Sequence, residues 1–203
     1  GWNPGTEQEI FSLDELCEAF TLDRVHKSGA KFNPDKTKWF NQQYIQKKSN
    51  SELASLFSSI LREKEISVET NYVEKVVSLI KERATFVSEF WSLSDFFFVT
   101  PTQYDPKAAK KNWKEGTSEL MQELMNIIAL IDEFTSEEVE DSIKKWILSK
   151  EIGFGRIMQP LRLSLVGAMK GPHLFDIIEM IGKTETLRRI KNAIENIQKN
   201  GPL

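Results

Sequence analysis

Residues 159–175, QPLRLSLVGAMKGPHLF, carry Leu161, Leu163, Leu165, Val166 and Met169 on a helical period, interrupted by Arg162 and closed by Lys170-Gly171-Pro172 ahead of Leu174-Phe175. The pattern predicts a buried helix, a glycine-proline turn and a second helix. An unpaired guanidinium in apolar surroundings is costly, so Arg162 should either pair with a carboxylate of its own chain or face a polar ligand. The residues alone leave both readings open. Gly171-Pro172 offers backbone for close approach, since glycine has no Cβ, and Pro172-His173 opens a helix whose first N–H groups favour an anion.

Working outward from this stretch, the same period recurs along nearly the whole chain. Ser12 followed by Glu15 reads as a capping box ahead of Leu13, Leu16, Cys17 and Phe20. Asn33-Pro34 is a cap with proline at the first helical position, opening a helix through Trp39, Phe40, Tyr44 and Ile45. Further helices fit 52–64, 69–82 and 85–93, whereas Ser94-Asp95-Phe96-Phe97-Phe98-Val99 fits either a brief helix or a packed extended segment. Thr100-Pro101 breaks the pattern and Asp105-Pro106 restarts it. Helices follow from Gly116-Thr117, from a Thr135/Glu138 capping box, from Gly153 to Gly155 with Pro160 inside, and on either side of Gly182-Lys183. No alternating strand run or hairpin signal occurs, so the expected class is all-α. The proline-bearing stretch from Val99 to Pro106 divides it into two consecutive helical-bundle subdomains, 49–104 and 105–203, with residues 1–48 ahead of them.

The composition, 40% hydrophobic and 28% charged, is that of a soluble globular protein, and no apolar run approaches the ~18 residues of a membrane span. The single cysteine, Cys17, excludes a disulfide framework and suits a reducing cytoplasm. The opening GWNPGTEQEIF reads as a loop under way, which suggests a domain of a longer chain. The net charge of −3 hides a segregation: residues 115–143 carry nine acidic and no basic side chains, whereas residues 144–203 carry eleven Lys or Arg against five Asp or Glu. Such a basic third fits an anion-binding face or simply a solvated surface. Lys170, Lys183, Arg188 and Arg189 are the candidate contacts to a phosphate backbone.

Catalytic groups are missing. His26 and His173 stand apart with no ligand at metal spacing, and Gly153-Phe154-Gly155 lacks a third glycine and a preceding strand. Lys27-Ser28, in VHKSGAKF, lacks the second lysine of a Lys-Met-Ser-Lys-Ser loop, and no His-Ile-Gly-His element occurs. No catalytic residue, metal or cofactor is therefore expected in this chain.

Lys150-Glu151-Ile152-Gly153, Gln159-Pro160-Leu161-Arg162, Val166-Gly167, Gly171-Pro172-x-Leu174-Phe175 and Gly182-Lys183 resemble the C-terminal anticodon-binding region of bacterial glutamyl-tRNA synthetases. Upstream, IFSLDELCEAFTLDRVHKSGAKFNPDKTKWFNQQYI is similar to the segment that joins the catalytic half of that family to its helical domains. The resemblance implies an anticodon-recognition module with tRNA(Glu) and the catalytic domain of the same chain as partners. It also implies a cytoplasmic monomer, and ATP and magnesium used only by the full enzyme. Arg162 falls on the family's Pro-Leu-Arg arginine, and Gly171, Pro172 and Leu174 fall on its anticodon-contacting loop. Arg83, in LIKERATF, falls on an arginine that senses the third anticodon letter, with Lys81 as the rival position. An arginine donating to O2 and N3 of cytosine would reject a purine by leaving donors unpaired. The competing expectation is a helical protein-interaction scaffold with a basic C-terminal face.

Overall fold

The structure, a computed structural model, describes residues 1–29 and 31–199. Among them are eleven α-helices and no strand, only an isolated bridge between Trp2 and Val25. The first two, α1 (Leu13–Ala19) and α2 (Pro34–Lys47), start at the caps legible in the sequence. Ser12 and Glu15 form a reciprocal box, and Asn33 Oδ1 accepts from the N–H groups of Asp35 and Lys36 at 3.1 Å each. This part is thinly packed: α1 buries no residue and α2 buries only Ile45.

A first packed group comprises α3 (Asn50–Glu63), α4 (Thr70–Ile80) and α5 (Phe90–Phe98), which contact one another around Leu53, Phe57, Val73, Val77, Ile80 and Phe90. The aromatic run, ambiguous in sequence, is helical through Phe98 and completes α5, while residues 85–86 form a bend ahead of a short 3-10 turn at Val87–Glu89. The second group comprises α6 (Pro106–Asn112), α7 (Thr117–Ala129), α8 (Ser136–Ser149), α9 (Phe154–Val166), α10 (Leu174–Ile181) and α11 (Lys183–Lys199). α7 and α9 both pack on α11, α8 packs on α10, and α10 reaches across to α5. Buried apolar side chains form one continuous cluster through both groups.

Helix ends explain the chain's turns. α3 and α8 close in Schellman motifs in which glutamates take the left-handed position: Glu65 (φ 59°) with Ile66 N–H donating to Leu61 O, and Glu151 (φ 53°) with Ile152 N–H donating to Ile147 O. Of the expected Thr135/Glu138 box only half forms, since Thr135 Oγ1 accepts from Glu138 N–H without the reciprocal bond. Pro160 sits in the middle of α9, which continues through it. Gly167 ends α9 at φ 77°, where a Cβ would lie 2.7 Å from Gln103 O, so the connector between the groups lies directly on this glycine. Gly167 O accepts from Asp105 N–H at 2.7 Å, and Asp105 in turn caps α6.

Candidate nucleic-acid interface

Arg83 ends a 3-10 turn, Lys81–Arg83, that follows α4. The turn is held from behind by α2, where Gln42 Nε2 donates to Glu82 O at 3.3 Å and Asn41 Nδ2 donates to Thr85 O. On the other side, Glu89 accepts from the N–H groups of Thr85 (2.7 Å) and Phe86 (3.1 Å). With the backbone fixed in this way, the Arg83 side chain is exposed and, among the described residues, forms no ion pair. The rival, Lys81, turns away and donates to Lys48 O at the α2–α3 junction.

Arg162 projects from the second turn before the end of α9. Its Nη1 donates to Lys170 O and Pro172 O, at 3.0 Å each, so the 170–172 turn is wrapped around the guanidinium. No carboxylate pairs with it among the described residues. Of the two readings left open by the sequence, neither is met as stated: the internal partners of Arg162 are backbone carbonyls and not a carboxylate.

Arg83 and Arg162 meet in one cleft of about 430 Å³, with Leu93, Met169, Lys170 and Gly171 as the other lining residues. Two cations from the two helix groups share a concavity whose lining holds no acidic residue. Burial, and after it the charge of Arg83, lowers the pKa of Arg162. Since a guanidinium remains charged in proteins, the site keeps two positive groups facing each other. A lining that combines guanidinium donors with the apolar surfaces of Leu93 and Met169 suits a planar group bearing acceptors. Met169, which the sequence pattern assigned to a buried series, lies beyond the end of α9 and is 41% exposed.

The remaining sequence candidates fall in different places. Gly171 lines the cleft, but its missing Cβ matters toward the core: at φ 99° a Cβ would stand 2.9 Å from Phe96 Cζ and 3.3 Å from Ile177 Cδ1. The missing Cβ therefore serves the contact between the helix groups, which the sequence reading did not foresee. Pro172 is buried and Leu174 is 3% exposed. Pro172 O accepts from Arg162, and no side chain caps the start of α10. Lys170 Nζ bonds Asp95 Oδ1 (2.8 Å) and Ser92 O (2.9 Å), joining the two groups beside the cleft. Lys183 Nζ donates to Ile131 O and lies over the Phe134 ring.

Arg188 is exposed but engaged by Glu185, with Nε to Oε2 at 2.7 Å and Nη2 to Oε1 at 2.8 Å. Arg189 is the clear correction. It is 2% exposed, its guanidinium is bound to Glu185 and to two carbonyls, and it cannot reach a phosphate backbone. The signal was present in the helical period, because Arg189 shares a face of α11 with Thr186, Ile190 and Ala193, all buried.

A family model described as "Anticodon binding domain" matches residues 51–194. The glutamate–tRNA ligase of Flavobacterium johnsoniae is 59% identical over 194 residues, 96% of this chain and 38% of that protein. The one from Flavobacterium psychrophilum is 58% identical, covering 97% of this chain and 39% of that protein. The crystal structure of a glutamate tRNA ligase from Elizabethkingia meningosepticum in complex with its amino acid superposes with a TM-score of 0.92 at 46% identity. That match covers 97% of this chain and 39% of the crystallised one. The chain therefore spans less than two fifths of the length of the relatives it matches.

Proposed function

We propose, on the premise that the chain belongs to the anticodon binding domain family, that it reads the anticodon of tRNA(Glu) within a longer glutamate–tRNA ligase. The observation that carries this reading is the cleft in which Arg83 and Arg162 converge with no acidic lining residue. A base splayed from the anticodon loop enters this cleft, rests against Leu93 and Met169, and offers ring acceptors to the two guanidiniums. A base with a donor at those positions leaves buried N–H groups unpaired, at a cost of about 1–3 kcal/mol. The uncapped start of α10 at Leu174 supplies further N–H groups close to Gly171 of the cleft.

Attachment of glutamate with ATP and magnesium is assigned to the portion of the ligase outside this chain, which spans less than two fifths of the length of those ligases. The exposed Leu13, Leu22 and Phe32 of residues 1–48 are assigned to contacts with that portion. This assignment favours an intramolecular partner over a foreign protein docked on a scaffold.

The test is a gel-shift titration of the chain against tRNA(Glu) and an anticodon-swapped version of the same tRNA, with Arg162→Ala and Arg83→Ala alongside. Tighter binding of the cognate RNA, with the preference reduced by roughly 10- to 100-fold in either variant, is expected. Equal, salt-sensitive binding of both RNAs by the unmodified chain would reduce the site to a generic basic surface.

A further inference from the structure

Arg189 completes two helices at once. Phe96 and Leu165 lie among the last four residues of α5 and α9, whose carbonyls lack partners within their own helices. Arg189 Nη1 donates to both, at 2.7 Å each, and its Nε donates to Glu185 Oε1 at 2.6 Å. Thr100 Oγ1 secures the same carboxylate at 2.6 Å, so the connector that follows α5 is drawn into the network. A buried cation at two helix C-termini also complements both helix dipoles. The neighbouring carbonyl, Phe97 O, is served by the Tyr72 hydroxyl at 2.9 Å, so two successive carbonyls at the end of α5 have tertiary donors.

The position of this shared cap relative to the cleft is what gives it a consequence. Leu93 lies three residues before Phe96 on α5, and Arg162 lies three residues before Leu165 on α9, and both line the cleft. Three residues are roughly 4.5 Å of helix. Arg189 therefore ties the two helices together about one turn behind the two walls of the cleft.

We propose that Arg189 is a positioning residue for the two-arginine cleft: by capping α5 and α9 with one guanidinium it fixes the helix group that carries Arg83 against the group that carries Arg162. The inference rests on the reading of that cleft as the site of an anticodon base. A planar fork is needed because three acceptors on three elements, Phe96 O, Leu165 O and Glu185 Oε1, are served together, a geometry that an ammonium on a shorter donor set does not reproduce.

The test uses spin labels at exposed positions of the two groups, Lys75→Cys on α4 and Lys145→Cys on α8, in a Cys17→Ser background. Pulsed electron paramagnetic resonance distances and the selectivity for cognate over anticodon-swapped tRNA(Glu) are measured on the same proteins. Arg189→Met is expected to keep its helical circular dichroism while the label distance broadens or shifts, and its selectivity falls by about tenfold or more. Arg189→Lys should recover only part of each. Should Arg189→Met not fold, Arg189→Lys and Thr100→Val, which removes the hydroxyl from Glu185, carry the same comparison. A sharp, unshifted distance in a folded variant overturns the proposal, as does a broadened distance with selectivity intact. Equal binding of both RNAs by the protein with Arg189 in place overturns the underlying reading instead, and that lane alone tells the two failures apart.

Discussion

Arg162 and Arg189 come from the same basic third of the chain, approach the same junction between helix groups, and each donates through Nη1 to two backbone carbonyls. They differ in what remains. Arg189 has a carboxylate on its Nε, two bonds at 2.7 Å and almost no exposure. Arg162 has no carboxylate, two bonds at 3.0 Å, half its surroundings open, and another cation across a cleft. A buried arginine bonded to a carboxylate and two carbonyls of its own chain is part of the structure. Arg162, half-buried beside Arg83 and without a counter-charge, bonds its own chain only through Nη1, and the proposed reading assigns its other donors to a base. Positive charge in a sequence therefore says little about ligand contact until the partners of each guanidinium are known.

The largest effect that sharpens this contrast is on stability. Arg189→Ala leaves Glu185 and two carbonyls without their donor inside the junction, and should cost about 3–5 kcal/mol in urea denaturation. Arg162→Ala removes one member of a repelling pair from a partly open site and should cost about 1 kcal/mol or less. Equal losses in the two variants would break the distinction between them.

Gly171→Ala comes next. It combines a left-handed backbone with a Cβ only 2.9 Å from Phe96 Cζ, and should lose about 1–3 kcal/mol by the same denaturation measurement. An unaffected midpoint would show that the turn has room to shift.

The smallest effect is acid dependence. Burial of Glu185 would by itself raise its pKa, but hydrogen bonds from Arg188, Thr100 and Arg189 outweigh this and hold it at about 2, against an ordinary value of 4.5. The unfolded chain takes up this proton first, so the stabilisation is fully present above pH 4.5 and is lost as the pH falls toward about 2. Glu185→Gln should flatten that part of the stability profile, and the two profiles should run parallel at neutral pH. An unchanged acid limb would mean that the carboxylate is no more stabilised folded than unfolded.

Local signals carried most of the helical reading. The Ser12/Glu15 box, the Asn33-Pro34 start and the Asp105 cap are made by residues within three positions of each other, so each is visible in a short window. Where a helix end is completed from afar the window fails: the run 94–99 gave no decision because its last carbonyls are served by Tyr72 and Arg189. Glu65 and Glu151 occupy left-handed positions where sequence reading looks for glycine, and they are held there by the closing bonds of Ile66 and Ile152.

For the site, the residues by themselves determined that Arg162 sits in an apolar helix beside a glycine-proline turn and needs either a partner or a ligand. Its partners, the carbonyls of Lys170 and Pro172, and its neighbour Arg83 were fixed only in three dimensions. Arg83, seventy-nine positions earlier, arrives at the same cleft because α5 packs on α10 and the connector lies on Gly167. Between the adjacent Arg188 and Arg189, the helical rotation of α11 turns one outward and buries the other. Hydrophobic period and caps are short-range properties and can be read from the chain. The pairing of a charge depends on groups brought within about 3 Å by packing, and a linear sequence does not contain that distance.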